Sequence, residues 1–371
     1  MKKLLLLFTL ALLLSSCTRV KDSQVEQIIN SVKQEFCPDK RVAIFDIQAE
    51  YNKKEIILKG ETSSQEAHEA LLNELSTQAD FEINDNINVL PDQEMGEENV
   101  GVIQISTAHQ RREPDVRAEM INQAIMGETV RLLKKDSYYY LAQLPDGYLG
   151  WITKSSVNAM TMAELEEWQQ SEKVVFYQRH GQIFSQSNTK SQPIGDLVMG
   201  AVLQKLAKKG KWIKVSCYKD EIGWVPADQV INIDKKPAAT AENIITLAKS
   251  FYGIPYLWGG RSAKAFDCSG FVKTVYELHG IVLDRDANMQ VKQGKEIAID
   301  AQYSQLQSGD LLFFGLDPEK ITHVAIYLGE KKFIHSDGYV HINSFDSTDP
   351  LFSEYRTKNL RKVKRIINEL D

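Results

Sequence analysis

Four cysteines in 371 residues, Cys17, Cys37, Cys217 and Cys268, are too few for a disulfide framework. None stands in a CxxC spacing and no HExxH motif occurs, so no metal centre is expected. Surplus positive charge is lacking too. The chain has 44 Lys and Arg against 50 Asp and Glu, a formal charge of −6, which argues against a protein that tracks nucleic-acid phosphates. Long apolar runs are missing: the longest, Leu4 to Leu14, holds 11 residues, short of the about 20 needed to span a bilayer. What remains, at 43% hydrophobic and 25% charged residues, is ordinary globular sequence. At roughly 150 residues per domain it is long enough for several modules.

Lys2 and Lys3 ahead of the apolar run make the amino terminus a secretion signal. Leu14-Ser15-Ser16-Cys17 closes it and resembles a bacterial lipobox, which implies removal of residues 1–16 and lipid attachment at Cys17. Several acyl chains on one residue suffice for lasting attachment, whereas one is marginal. The expected location is the bacterial cell envelope, lipid-anchored to a membrane, on the periplasmic side of the outer membrane.

After a tether over 17–24, residues 25–91 read as helix, two strands, helix and strand. The first helix carries Val25, Ile28, Ile29 and Val32 on one face, and the second Ala67, Ala70, Leu71 and Leu75. This small α+β order resembles a BON domain. Between 99 and 233 the chain repeats itself: Gly127 and Gly200, Tyr139 and Trp212, Gly150-Trp151 and Gly223-Trp224 recur at an interval of 73 residues. Two small all-β barrels follow, 99–157 and 173–233, with a helical connector over 158–172 between them. Each ends in Gly-Trp-Ile or Gly-Trp-Val and resembles the bacterial SH3-like barrel. Its tryptophans are expected in the core. The Lys235-Lys236-Pro237 stretch is a linker, and a last domain occupies 241–367.

That domain carries the chemistry. Asp267 has the residue type and position of a helix N-cap, and Phe271, Val275 and Leu278 form one apolar face behind it. Cys268 then lies in the first helical turn, where unpaired N–H groups and the positive end of the helix favour thiolate over thiol. The same N–H groups can receive an oxyanion. A base is needed, and His323 and His335 both lie on predicted strands. If Gly329-Glu330-Lys331 forms a three-residue loop, Ala325 faces His335 and the two histidines are diagonal neighbours on one face, Cβ atoms roughly 7 Å apart. A two-residue loop would turn His335 to the opposite face. His279 reads as a helix-end cap, and His341 is an alternative third residue beyond the turn at Gly338.

Asp267-Cys268-Ser269-Gly270-Phe271, Ser308-Gly309-Asp310-Leu311-Leu312-Phe313-Phe314 and the two histidines together resemble the NlpC/p60 papain-like cell-wall cysteine peptidases. With two SH3-like barrels ahead, the chain resembles the subgroup that cuts after γ-D-glutamate in muropeptides with a free amino-terminal L-Ala. The resemblance implies an α+β papain-like domain with Cys268 as nucleophile, His323 as base and His335 as orienting residue. Tyr256 is implied as an oxyanion or substrate contact, Asp267 and Ser269 as contacts to the alanine ammonium, and Trp258 as a pocket wall. Ala287 replaces the Ser or Thr common in the family, which leaves Arg285 as partner of the glutamate carboxylate. Tyr148 and Glu119 of the first barrel are further candidates to close the pocket. No cofactor is implied. The implied partners are muropeptides and the membrane, to a monomer. Two different classes stay open: an inert wall-binding lipoprotein, and an acyltransferase or amidase using the same thiol.

Overall fold

A computed structural model describes residues 23–52, 55–78, 82–216 and 221–367. The signal stretch, Cys17 and Cys217 lie outside the described residues. Two compact units divide the chain near Gly96, with residues 147–149 grouped with the first.

The first unit has the expected order. A helix over 23–36 is followed by strands Phe45–Asn52 and Glu55–Thr62, helix Gln65–Gln78 and strand Glu82–Val89. The first two strands pair antiparallel and the second and third parallel. Val25, Ile28, Ile29 and Val32 from one helix meet Ala67, Leu71 and Leu75 from the other over Ile56 and Leu58. Cys37 is packed in the same core, where burial pushes its thiol up.

The second unit begins with two seven-stranded sheets over 100–160 and 173–232. Numbering each set of strands from one to seven, both run 7-1-4-5-6-2-3, so the 73-residue repeat is a repeat of topology. Gly127 and Gly200 hold the same left-handed turn, at φ 84° and 93°, which favours glycine. The connector begins later than expected. Residues 158–160 complete strand Val157–Met160, which pairs with Val100–Ile103, and the helix runs only over Met162–Gln170 behind a Thr161–Glu164 capping box. Trp151 and Trp224 are half-buried rather than core residues.

In the last domain, helices α1 (Ala241–Ser250) and α2 (Cys268–Glu277) pack on a six-stranded sheet. Its strands are β1 (Lys295–Glu296), β2 (Leu311–Phe314), β3 (His323–Gly329), β4 (Lys332–Asp337), β5 (Tyr339–Ser344) and β6 (Leu360–Arg365), in the order β1-β6-β2-β3-β4-β5. Phe271, Val272 and Val275 of α2 are fully buried. Each such side chain contributes about 1.5–3 kcal/mol. Gly270 lets α2 approach its neighbour, because a Cβ there would lie 2.2 Å from the Gly260 carbonyl oxygen.

Three buried cations tie this domain to the first barrel. The backbone N–H of Arg261 donates to Gln123 Oε1 at 2.9 Å and its guanidinium pairs with Glu128. Lys273 lies 3.2 Å from Asp146, and Arg285 Nε donates to Asn122 Oδ1 at 2.6 Å.

Candidate active site

The β3–β4 hairpin decides whether the histidines meet. Its loop is the two-residue one: Glu330 and Lys331 both have positive φ, 50° and 62°, and Gly329 pairs with Lys332. On that count alone His335 would face away from His323. A register shift between Tyr327 and Gly329 leaves Leu328 as an extra residue, and beyond it Tyr327 pairs with Phe333 and Ile326 with Ile334. The bulge thus restores the register that the three-residue loop was expected to give.

His323 Nε2 lies 2.8 Å from His335 Nδ1, with the rings perpendicular. His335 Nε2 lies 2.9 Å from Asn343 Oδ1, and Asn343 Nδ2 donates to the Leu351 carbonyl at 3.3 Å. These contacts assign the tautomers. Asn343 can offer only an acceptor, so His335 carries its proton on Nε2. His335 Nδ1 is then an acceptor, His323 donates from Nε2, and the lone pair of His323 is left on Nδ1. Asn343 had no place in the sequence reading. It is a diagonal neighbour of His335, because β4 and β5 pair His335 with His341 and Phe333 with Asn343. The turn at Gly338 carried that register. His341 instead donates Nδ1–H to the Tyr339 carbonyl at 2.8 Å, and His279 donates Nδ1–H to the Val275 carbonyl at 2.7 Å.

Cys268 opens α2, so its own N–H has no partner within the helix. The backbone N–H groups of Val324 and Ser269 face its sulfur and favour its charged form, which sets the thiol against the residue that follows His323. Burial pushes the thiol up to about 12, and the Asp267 carboxylate adds to the rise; the two N–H groups and Arg285 offset only part of it. The helix end therefore does not yield a resting thiolate. Burial also lowers His323 well below the ordinary imidazole value, and takes His335 to about 3. The site rests as neutral thiol beside neutral imidazole, so the proton must cross as the sulfur attacks.

Tyr256 is half-buried, and burial together with the negative charge of Asp267 raises its phenol. It stays an O–H donor beside the thiol. Asp267 is 6% exposed and caps α2 by accepting from the Gly270 N–H at 2.7 Å. It also accepts from the Gly259 N–H at 3.0 Å, Ser269 Oγ at 3.2 Å, and Arg285 at 3.1 and 2.5 Å. Five donors fill a carboxylate with about four lone-pair sites, which leaves no room for a ligand ammonium. Arg285 is 1% exposed, and its guanidinium is spent on Asp267, Ser269 and Asn122 rather than held for a substrate anion. Ala287, beside it, is buried.

Trp258 is 62% exposed and donates from Nε1 to Glu119 Oε1 at 2.9 Å, so a first-barrel carboxylate stands at the rim. Arg112 holds the other oxygen of Glu119 at 2.7 Å and lowers its pKa. Tyr148 is buried, at 5% exposure. Among the described residues no group of His, Cys, Asp and Glu is arranged to hold a metal ion.

A buried cysteine at a helix start beside a hydrogen-bonded histidine pair is the apparatus of a papain-like cysteine peptidase. The chain carries an NlpC/P60 domain, matched over residues 253–365, and a bacterial dipeptidyl-peptidase SH3 domain, matched over 111–157; it is a hydrolase of the peptidase class. It is 29% identical to dipeptidyl-peptidase 6 of Lysinibacillus sphaericus over 65% of this chain and 90% of that protein. It is 34% identical to a gamma-D-glutamyl-L-lysine dipeptidyl-peptidase of Bacillus subtilis over 52% of this chain and 61% of that one. A crystal structure of an NlpC/P60 family protein from Bacillus cereus superposes with a TM-score of 0.63 at 22% identity, over 72% of this chain and 99% of that one. That likeness shows the fold.

Proposed function

We propose that the protein hydrolyses the γ-D-glutamyl to L-diamino acid bond of peptidoglycan stem peptides, preferring fragments with a free amino-terminal L-Ala, in cell-wall turnover or recycling. The observation that carries this reading is Cys268 at the opening of α2, with the hydrogen-bonded His323–His335–Asn343 chain on the neighbouring strands. The name of the relative from B. subtilis, a gamma-D-glutamyl-L-lysine dipeptidyl-peptidase, supplies the bond.

In the mechanism, His323 Nδ1 takes the thiol proton as sulfur attacks the γ-carbonyl carbon. The oxyanion forms beside the Cys268 N–H and the Tyr256 hydroxyl, donors that need no reorganisation. The protonated His323 then gives its proton to the leaving amine, and the C–N bond breaks to leave a thioester on Cys268. Water, deprotonated by the same imidazole, attacks the thioester; the C–S bond breaks, His323 returns the proton to the sulfur, and the γ-D-glutamyl product is freed. His335 remains neutral throughout and holds the His323 ring. With Asp267 fully engaged, we assign the alanine ammonium to Glu119, beside Trp258 at the rim, with Ser269 as a further substrate contact. Lipidated Cys17 would tether the enzyme to the outer membrane, facing the periplasm, as a monomer.

Mass spectrometry of a digest of L-Ala-γ-D-Glu-L-Lys tests the bond. The expected products are L-Ala-γ-D-Glu and free lysine. Cleavage between Ala and Glu, or a transfer product in place of the free dipeptide, would contradict the reading.

A further inference from the structure

A chain of buried polar groups runs from the core of the first barrel to the cap of the nucleophile's helix. Gln110 Nε2 donates to the Ala142 carbonyl at 3.0 Å, and Asn122 Nδ2 donates to Gln110 Oε1 at 3.2 Å. That contact turns Asn122 Oδ1 outward, where it accepts from Arg285 Nε at 2.6 Å. Arg285 then grips Asp267 with both terminal nitrogens, and Asp267 holds the Gly270 N–H, two residues beyond Cys268. Gln110 and Asn122 are 0% exposed, Arg285 1% and Asp267 6%.

From this continuity we infer that Asn122, in the first barrel, is a positioning residue for Cys268. The inference rests on the peptidase reading above. Asp267 and Ser269 both hold the terminal nitrogens, at one end of the guanidinium, and a contact at Nε fixes its other end. Asn122 supplies that contact, and its own amide cannot flip because Gln110 Oε1 accepts only from nitrogen. Fixing Arg285 fixes both carboxylate oxygens of Asp267, and with them the first turn of α2. The barrel therefore contributes to the nucleophile's geometry as well as to the rim, although Asn122 reaches neither sulfur nor substrate. Displacing a reacting atom by about 1 Å costs on the order of a hundredfold in rate.

The test compares Asn122→Leu, which removes the acceptor, with Asn122→Asp, which keeps one for Arg285 Nε. In the full-length enzyme, Asn122→Leu should lower kcat by about 10- to 100-fold with KM changed less than about threefold, and should change the rate at which iodoacetamide alkylates Cys268. Asn122→Asp should recover most of both. Alkylation needs no peptide substrate, so it reports on the nucleophile even if the assigned bond is wrong. If Asn122→Leu does not fold, Arg285→Lys serves instead: it keeps the buried cation but cannot reach Asn122 and Asp267 together, and the same fall in kcat and change in alkylation are expected. Unchanged kcat and alkylation in a folded variant, or equal losses in Asn122→Leu and Asn122→Asp, would overturn the inference.

Discussion

Asn343 determines, through His335, which nitrogen of His323 carries the proton. Its Oδ1 accepts from His335 Nε2 at 2.9 Å, and His335 Nδ1 accepts from His323 Nε2 at 2.8 Å. The base is thereby presented at Nδ1. Asn343→Leu should release both rings to the wrong tautomer and lower kcat at least tenfold with little change in KM. Steady-state kinetics on the tripeptide would read it; a KM effect alone would place Asn343 in substrate binding instead.

Burial of the histidines gives a pH dependence with a definite sign. His323 stays neutral well below 6.5, so the acid limb of kcat/KM should lie below the ordinary imidazole range. For stability, the folded His335 titrates at about 3 and the free ring at 6.5, so the unfolded chain takes the proton first as pH falls. The fold should lose about 1.4 kcal/mol per pH unit from this one group as pH drops from 6.5 toward 3. Urea unfolding near neutrality and at about pH 4.5 checks this, with His335→Asn losing less than the unaltered protein over the same interval.

Selectivity for a free amino terminus should follow Glu119. Acetylating the substrate removes the charge that Glu119 would meet, and kcat/KM should fall by about a hundredfold. In Glu119→Gln the two substrates should draw together. Equal cleavage of both by the unaltered enzyme would mean that the pocket is open at that end.

Much of this was legible in the sequence because the signals were local. A residue of N-cap type before Cys268, glycines and aromatics recurring at a fixed interval, and apolar faces at helical spacing each report on neighbouring residues. Contributions from distant segments were not legible. The bulge at Leu328 offsets a two-residue turn, so the histidine register came out right from a loop length that was wrong. The thiol at the helix start was expected to ionise, but burial outweighs the helix end. Arg285 has the residue type of an anion partner, and only its folding back onto Asp267 and Ser269 and the approach of Asn122, far back in the chain, show that its nitrogens are spent. Asn343 carries no motif and acquires its place from a turn at Gly338.

Cys17 is the expected lipid anchor. Cys17→Ser should move the protein from the membrane fraction to the soluble fraction, since among the described residues no helix is long and apolar enough to cross a membrane. Recovery of the unaltered protein without detergent in the soluble fraction would refute the anchor.

The central claim is that Cys268 and His323 together cut the γ-D-glutamyl bond. It is tested most directly by kcat/KM on L-Ala-γ-D-Glu-L-Lys for the unaltered enzyme, Cys268→Ala and His323→Ala. Both variants should fold, and both should lose activity by at least about a thousandfold, because nucleophile and base act as a unit. Appreciable turnover by Cys268→Ala would contradict the account.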